Sequence, residues 1–184
     1  MQIEKELLEA CLRQERSAQN RLYKEVFSYL MNICIRYKND YDTAGASLNA
    51  IFLKVLQNLE KFRKEDSFVP WMKRIAVNHL IDEFRKQKRE REKLSFIDPL
   101  SNTNYASTNH EKEAEMDCEY LLEMIKELPA VTGKVFNLYA IDGFKHREIA
   151  EILEMSENTS KWHLREARKK LKQKLVLFNE TVSI

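Results

Sequence analysis

Apolar residues recur at three- and four-residue spacing along almost the whole chain, a period that predicts helices. No alternation of apolar and polar residues runs long enough to predict a strand. The chain has only three Gly and three Pro, which agrees with helices throughout. We therefore expect an all-α protein. Its 184 residues, with 43% hydrophobic content, suffice for two small domains with their own cores.

In the N-terminal half, the pattern predicts four helices, over about 3 to 16, 19 to 37, 47 to 62 and 68 to 92. The stretch 38 to 45 is expected to be a break, and 63 to 67 a polar loop. The core side of the second helix is predicted to consist of Leu22, Val26, Tyr29, Leu30, Ile33 and Ile35. Pro70 falls in the first turn of the fourth helix, where its missing N–H is harmless.

The fourth predicted helix is apolar on more than one side, so we expect it to lie between two neighbours. Its apolar positions are Phe68, Trp71, Met72, Ile75, Val77, Leu80 and Phe84. Its polar positions fall on one stripe formed by Arg74, Asn78, Asp82, Arg85 and Arg89. An ordinary solvated face is an equal alternative for this stripe. Trp71 next to a basic helix and a polar loop favours binding of single-stranded DNA by stacking and phosphate contact.

Residues 133 to 175 predict a helix, a second helix, a short turn and a strongly basic third helix. Asp142-Gly143 closes the first, because Gly adopts the left-handed conformation that ends a helix. The second is HREIAEILE, whose core face is predicted to be Ile149, Ala150, Ile152 and Leu153. Glu154-Met155-Ser156 forms the turn, with Ser156 as N-cap. This layout is typical of a helix-turn-helix that enters the major groove.

The basic helix has distinct faces. Its core side is predicted to be Ser160, Leu164, Ala167, Leu171 and Leu175, and its opposite side Asn158, Thr159, Trp162, Arg165, Glu166 and Lys169. Lys161, Arg168, Lys170 and Lys172 lie along the flanks. Residues 158 to 175 carry seven Lys or Arg against one Glu. A solvated charged face is the plainer interpretation, but the preceding helix and capped turn favour a DNA reader whose flanks neutralise phosphates.

Net charge is only +2, yet the charge is segregated along the chain. Residues 71 to 93 carry eight basic and four acidic residues, whereas residues 98 to 127 carry eight acids and two Lys. The acidic part begins in a stretch rich in Ser, Asn and Thr, which favours a flexible linker near 94 to 113.

Catalytic and metal-binding chemistry have little support. The four His lie on different predicted segments without HExxH spacing, no Gly-rich phosphate loop occurs, and three widely spaced Cys form no CxxC pair. His146 and His163 are expected to be helix-surface or groove residues, and the Cys small core residues. We expect no enzyme activity, metal, cofactor or small-molecule substrate. The N-terminus resembles no signal peptide and no apolar run could span a bilayer, so a cytoplasmic protein is expected.

Two stretches, FLKVLQNLEKFRKEDSFVPWMKRIAVNHLIDEFRKQKR and LPAVTGKVFNLYAIDGFKHREIAEILEMSENTSKWHLREARKKL, resemble extracytoplasmic-function sigma factors of bacterial RNA polymerase. The resemblance implies two helical domains, 6–93 and 117–178, joined by an acidic linker, 94–116. In that family the first domain binds the β′ clamp helices and melts the minus-ten element, and the second reads the minus-thirty-five element. The implied partners are core RNA polymerase, through β′ clamp and β flap, promoter DNA and an anti-sigma factor.

By position, the resemblance matches the stripe of the fourth helix to the family's helix that contacts the melted strand. It matches loop 63–68 to the family's loop that captures a flipped base. In the basic helix, Lys161, Trp162, Arg165 and Lys169 match the duplex-reading residues, with Asn158, Thr159 and Arg168 beside them. On the third helix, the resemblance implies polymerase contacts by Asn49, Phe52, Leu53, Val55 and Leu56.

The chain departs from the family at three places. Gly45, Ala46, Asn49 and Ala50 replace acids and a Gln at the start of the clamp-binding helix. Glu154 stands where the turn is commonly Gly, at an expected cost of about 1 kcal/mol for a left-handed backbone. Glu166 stands where Arg is frequent, and a carboxylate there can accept from cytosine N4. A sigma-like regulator that has lost core binding therefore remains an alternative function.

Overall fold

The structure, a computed structural model, describes residues 1–38, 40–63, 67–95 and 116–182. Its elements are α1 (Lys5–Leu12), α2 (Arg16–Tyr37), α3 (Tyr41–Asn58), a 3-10 turn (Leu59–Lys61), α4 (Phe68–Ser95), α5 (Met116–Lys126), α6 (Ala130–Phe136), a π turn (Asn137–Ile141), α7 (His146–Leu153) and α8 (Glu157–Val182). All elements in these ranges are helical, which confirms the all-α prediction. The chain forms two compact units, Met1–Leu100 and Ser101–Ile184. Apart from its ends, the predicted linker 94–116 lies outside the described residues and stays a prediction.

In the first unit, α2 packs against α1, α3 and α4, and α4 also packs against α3. Fully buried aliphatic side chains from three helices form the core: Leu22, Val26, Leu30, Leu48, Ile51, Val55, Met72, Val77, Leu80 and Ile81. Each such side chain stabilises the fold by about 1.5–3 kcal/mol relative to exposure. The expectation that α4 lies between two neighbours is therefore confirmed.

The boundaries of the first helices were predicted wrongly. α1 ends at Leu12, because Gln14 takes a left-handed conformation (φ 61°) and the Glu15 N–H donates back to the Ala10 carbonyl at 3.2 Å. α3 begins at Tyr41 rather than near 47. Asp40 caps it, since its carboxylate accepts from the Thr43 N–H at 2.7 Å. With α2 ending at Tyr37 and α3 beginning at Tyr41, the helices lie closer together in the chain than expected.

The core of α2 was predicted in part. Tyr29 and Ile35 are only half-buried, whereas Met31, Cys34 and Tyr37 are buried. Cys11 is also buried, so both cysteines are core residues as expected, and burial raises the pKa of both thiols, that of Cys34 to about 12. The Cys118 side chain lies outside the described part of the structure.

In the second unit, α8 packs against α5, α6 and α7. Its buried contributions are Ser160, Leu164 and Ala167, joined by Met124, Val135, Leu138 and Ile149. Leu175, predicted to extend this core face, is exposed, and Leu171 is only half-buried. On α7 the predicted core positions other than Ile149 are likewise half-buried.

Candidate nucleic-acid and polymerase interfaces

The predicted polar stripe of α4 exists as one surface. Arg74, Asn78, Asp82 and Arg89 are exposed, and Arg85 is half-buried with its guanidinium 3.8 Å from the Asp82 carboxylate. Spacings of three and four residues align these side chains along the helix. The stripe therefore offers cations and hydrogen-bonding groups opposite the side of α4 that packs in the core.

Trp71 is part of a ring cluster at the start of α4. Its ring centroid lies 5.3 Å from that of Phe62 and 5.7 Å from that of Phe68, and Trp71 is half-buried. The freely stacking tryptophan expected from the sequence is thus largely engaged within the domain. Within loop 63–68, Phe68 is buried and cannot capture a base, while residues 64–66 lie outside the described part of the chain.

A polar clasp, which sequence reasoning missed, ties α4 to α2 and α3. The Glu83 carboxylate accepts from the Ser47 hydroxyl at 2.9 Å and pairs with the Lys38 ammonium at 3.0 Å. His79, one turn earlier, places Nε2 3.6 Å from the same carboxylate. Burial raises the pKa of Glu83, but the hydrogen bonds from Lys38 and Ser47 outweigh it, so the pKa lies below its ordinary value.

The α3 surface assigned to polymerase contact is partly as expected. Asn49 and Leu53 are exposed, and Phe52 and Leu56 are half-buried. Val55 is 0% exposed, which corrects its assignment, because it belongs to the core side of the same helix. Contact with a partner at Val55 would require the domain to unfold.

Two aromatic residues of α2 complete this surface. The Tyr23 hydroxyl donates to the Asn49 side-chain oxygen at 2.8 Å, and the Tyr23 ring meets Phe52 edge to face at 5.0 Å. Phe27, four residues along α2, lies 5.7 Å from Tyr23. The i, i+4 spacing of these two aromatics is visible in the sequence and places both on one face of α2. We call Tyr23, Phe27, Asn49, Phe52 and Leu53 the α2–α3 patch.

The helix-turn-helix of the second unit has the predicted turn chemistry. Gly143 has φ 81°, and Glu154 is left-handed with φ 53°. The Met155 N–H donates to the Ala150 carbonyl at 3.0 Å, which closes α7 in a Schellman arrangement. The Ser156 hydroxyl accepts from the Thr159 N–H at 3.0 Å, so Ser156 is the N-cap of α8.

The outward face of α8 carries the side chains predicted to read DNA. The exposed positions are Asn158, Thr159, Lys161, Trp162, Arg165, Arg168 and Lys169. Trp162 is 49% exposed, and its ring meets that of His163 edge to face at 4.9 Å. A tryptophan held in this way on an exposed helix face offers apolar area at little cost in side-chain entropy.

Two histidines connect α8 to the rest of its unit, a role that corrects their assignment to a helix surface or groove. His146 Nδ1 lies 2.9 Å from the Ser160 hydroxyl, and His163 Nδ1 lies 3.0 Å from the Thr132 hydroxyl. Burial lowers the pKa of both imidazoles. Because Ser160 is fully buried, these contacts fix how α8 sits against α7 and α6.

Arg168 differs from Arg165 in its surroundings. Its guanidinium carbon lies 5.9 Å from the centre of the Tyr139 ring, which in turn stacks on His146 with centroids 4.5 Å apart. This cation–π contact holds Arg168 along the flank of α8 that faces the π turn. The π turn itself, in the middle of a predicted regular helix, was not visible in the sequence pattern.

The described His, Cys, Asp and Glu side chains form no group of three or more that could hold a metal ion. Among the described helices, none combines the length and the apolar character needed to cross a bilayer.

The chain is similar in sequence to curated proteins over most of its length. It is 28% identical over 178 residues to the RNA polymerase sigma factor SigV of Bacillus subtilis, covering 95% of this chain and 94% of the relative. It is 25% identical to the ECF RNA polymerase sigma-E factor of Escherichia coli K12, with 92% of each covered. The fold is similar to that of RpoE from Bartonella quintana, solved with the anti-sigma factor NepR, with TM-score 0.58 and 18% identity over 85% of this chain and 95% of that one.

Two family models show which family the chain belongs to. The model of Sigma-70 region 2 matches residues 22–90, and the model of Sigma-70 region 4 matches residues 118–171. The two matches together cover two thirds of the chain. The chain is an extracytoplasmic-function sigma factor. As a sigma factor it directs transcription initiation, and proteins of this family regulate rather than catalyse. The region 2 match of the sigma factor includes the α4 stripe, and the region 4 match includes the outward face of α8.

Proposed function

We propose that the sigma factor binds core RNA polymerase through the α2–α3 patch, melts the minus-ten element with the α4 stripe and reads the minus-thirty-five element with α8. The observation that supports this most is the exposure of both predicted DNA-binding faces, each on the side of its helix away from the core. Cations on these faces neutralise phosphates, and the N-terminal half of α8 presents side chains to base edges. Because RNA polymerase and the chromosome lie in the cytoplasm, the protein acts there.

The α2–α3 patch supports docking by apolar contact. Leu53 is 56% exposed beside the half-buried Phe52, and the Tyr23 hydroxyl already satisfies the Asn49 side-chain oxygen. Acids that the family commonly uses at the start of this helix are replaced here by Gly45 and Ala46. Exposed ion pairs contribute only about 0.2–1 kcal/mol each, so burial of Leu53 and the aromatic edges offsets their loss.

The test is binding of purified core polymerase by the wild-type chain, Leu53→Asp and Tyr41→Asp. Tyr41 is 62% exposed in the first turn of the same helix, where an added carboxylate is compatible with the helix dipole, so it is a matched control. We expect Leu53→Asp to weaken binding at least about tenfold, since it removes apolar burial and introduces a charge. Absence of binding by the wild-type chain at micromolar concentration would favour the alternative, a sigma-like regulator without core binding.

An anti-sigma factor is the further proposed partner. The sigma factor RpoE and the protein CnrH, whose folds this chain shares with TM-scores of 0.58 and 0.51, were each solved with a second protein, and in the RpoE structure that protein is named an anti-sigma factor. A partner that covered the α2–α3 patch would block binding of polymerase, and a partner that covered α8 would block binding of DNA. Co-purification from cells of the native host, followed by loss of transcription on adding the captured protein, tests this.

A further inference from the structure

Glu166 is an acid on a surface that is otherwise basic. Over residues 158–175 it is the single acidic residue among seven Lys and Arg. It lies one turn after the exposed Trp162 and next to the exposed Arg165, so it belongs to the half of α8 that presents side chains to DNA. Its own side chain is half-buried.

Other acids of the helix-turn-helix have partners within the fold. Glu157 pairs with Lys161 at 2.8 Å, and Glu148 accepts from the Lys145 N–H at 2.8 Å. Glu166, in contrast, makes no ion pair or hydrogen bond with any described residue, although Lys169 and Lys170 follow at helical spacing. No bond of its carboxylate to a described residue therefore stabilises the folded unit.

The groups of a DNA duplex that complement a carboxylate are few. Phosphates repel it, and guanine N7 and O6 and thymine O4 are acceptors that repel it as well. In the major groove only the amino groups of cytosine and adenine donate. Cytosine N4 occupies the place where thymine carries O4, so a carboxylate separates these two bases most sharply.

We propose that Glu166 is a specificity-determining residue that selects a cytosine at one position of the minus-thirty-five element by accepting a hydrogen bond from its N4 amino group. This inference rests on the proposed function of α8 as the helix that reads that element. The neighbouring cations hold the helix on the phosphates, and Glu166 rejects sequences that place an acceptor opposite it.

The experiment uses the full chain with core polymerase on a promoter library with a randomised minus-thirty-five region, and it sequences the templates that initiate. The wild-type chain is compared with Glu166→Gln, Glu166→Ala and the control Glu151→Gln. Glu151 is an exposed acid on α7, paired with Arg147, so the control makes the same charge change away from the reading face.

At one position, we expect the wild-type chain to enrich cytosine over thymine by about tenfold or more. Glu166→Gln should shift that position towards adenine, whose N6 and N7 suit an amide, and Glu166→Ala should leave it without preference. The remaining positions should keep their wild-type preferences in both variants, which shows that the variants fold and dock. Glu151→Gln should reproduce the whole wild-type profile.

Two results overturn the assignment of Glu166 while leaving the reading role of α8 intact. In one, the wild-type chain selects a specific element and Glu166→Gln selects the same one. In the other, Glu166→Ala improves initiation from every template equally, so that Glu166 acts only as a repulsive charge. If the wild-type chain with core polymerase selects no minus-thirty-five sequence, the proposed function of α8 fails together with the inference.

Discussion

The Ser47 hydroxyl of α3 donates to the Glu83 carboxylate of α4 at 2.9 Å, and this bond joins the helix proposed to bind polymerase to the helix proposed to melt DNA. Lys38, which follows the end of α2, binds the same carboxylate. Three helices therefore share one partly buried charge. The clasp therefore links the helices that carry the α2–α3 patch to the helix that carries the α4 stripe.

Glu83→Gln should destabilise the first unit by roughly 1–3 kcal/mol near pH 7, because it leaves the Lys38 ammonium without its carboxylate. Urea unfolding of the full chain, followed by circular dichroism, measures the loss. Asp82→Asn is the matched control, since Asp82 is the adjacent, exposed acid on the same helix. Equal losses in the two variants would contradict a special role for the clasp.

The pH dependence of stability should show two separate steps from the clasp. Burial lowers the pKa of His79 below its ordinary 6.5, so the folded state favours the neutral ring and stability falls as pH drops below 6.5. The pKa of Glu83 lies below its ordinary 4.5, so the stability it contributes is present above pH 4.5 and is lost as pH falls through the folded value.

His79→Gln should therefore flatten the stability profile just below pH 6.5, whereas Glu83→Gln should flatten it below pH 4.5. Unfolding midpoints measured at half-unit steps from about pH 2.5 to 8 check both. His146 and His163, whose pKa values are also lowered, lie in the second unit, so they give the unfolding of that unit a slope of the same sign that His79→Gln leaves unchanged. An unchanged profile in His79→Gln would show that its imidazole titrates alike in the folded and unfolded chain.

Two substitutions in the turn before α8 should change the stability of the second unit in opposite directions. Glu154→Gly should stabilise the second unit by about 1 kcal/mol, because φ 53° is strained for a side chain and natural for Gly. Ser156→Ala should destabilise it by about 1 kcal/mol through loss of the bond to the Thr159 N–H. Thermal unfolding of the two variants checks the signs, and a destabilised Glu154→Gly would mean that the Glu154 side chain contributes more than its backbone strain costs.

Replacing Arg165 and replacing Arg168 should change binding to duplex DNA in different ways. Arg165→Ala should cost roughly 1–3 kcal/mol on the preferred minus-thirty-five element and relax discrimination at one position, because Arg165 lies on the outward face. Arg168→Ala should weaken binding to all sequences alike and lower the salt slope by about one unit, because Arg168 is held on the flank over Tyr139.

Binding assays on a small set of duplexes at several salt concentrations separate the two effects. Lys172→Ala, another exposed flank residue further along α8, serves as a reference for a phosphate contact. If Arg165→Ala and Arg168→Ala weaken every duplex equally, Arg165 is a phosphate contact and the reading face of α8 is rotated from the one assigned.

Local rules in the sequence predicted most of the fold. Helical periodicity identified the all-α class, and Gly143 and Ser156 marked helix ends, whereas the left-handed turn at Glu154 was implied by the resemblance to the family. These features depend on residues within one or two turns of each other, so a linear pattern contains them. The helix start at Tyr41 was missed, because burial of Ala44 and Leu48 stabilises a helix that passes through Gly45.

Which residues of a predicted face are free for function was decided only by the tertiary structure. Val55 and Leu53 lie two positions apart on α3, and periodicity alone did not show that the first faces the core and the second faces solvent. The bonds from Lys38 and Ser47 to Glu83, like the contact of Arg168 with Tyr139, join residues far apart in the chain. A sequence period shows that a helix has faces, but only the packing of the other helices determines which face is covered.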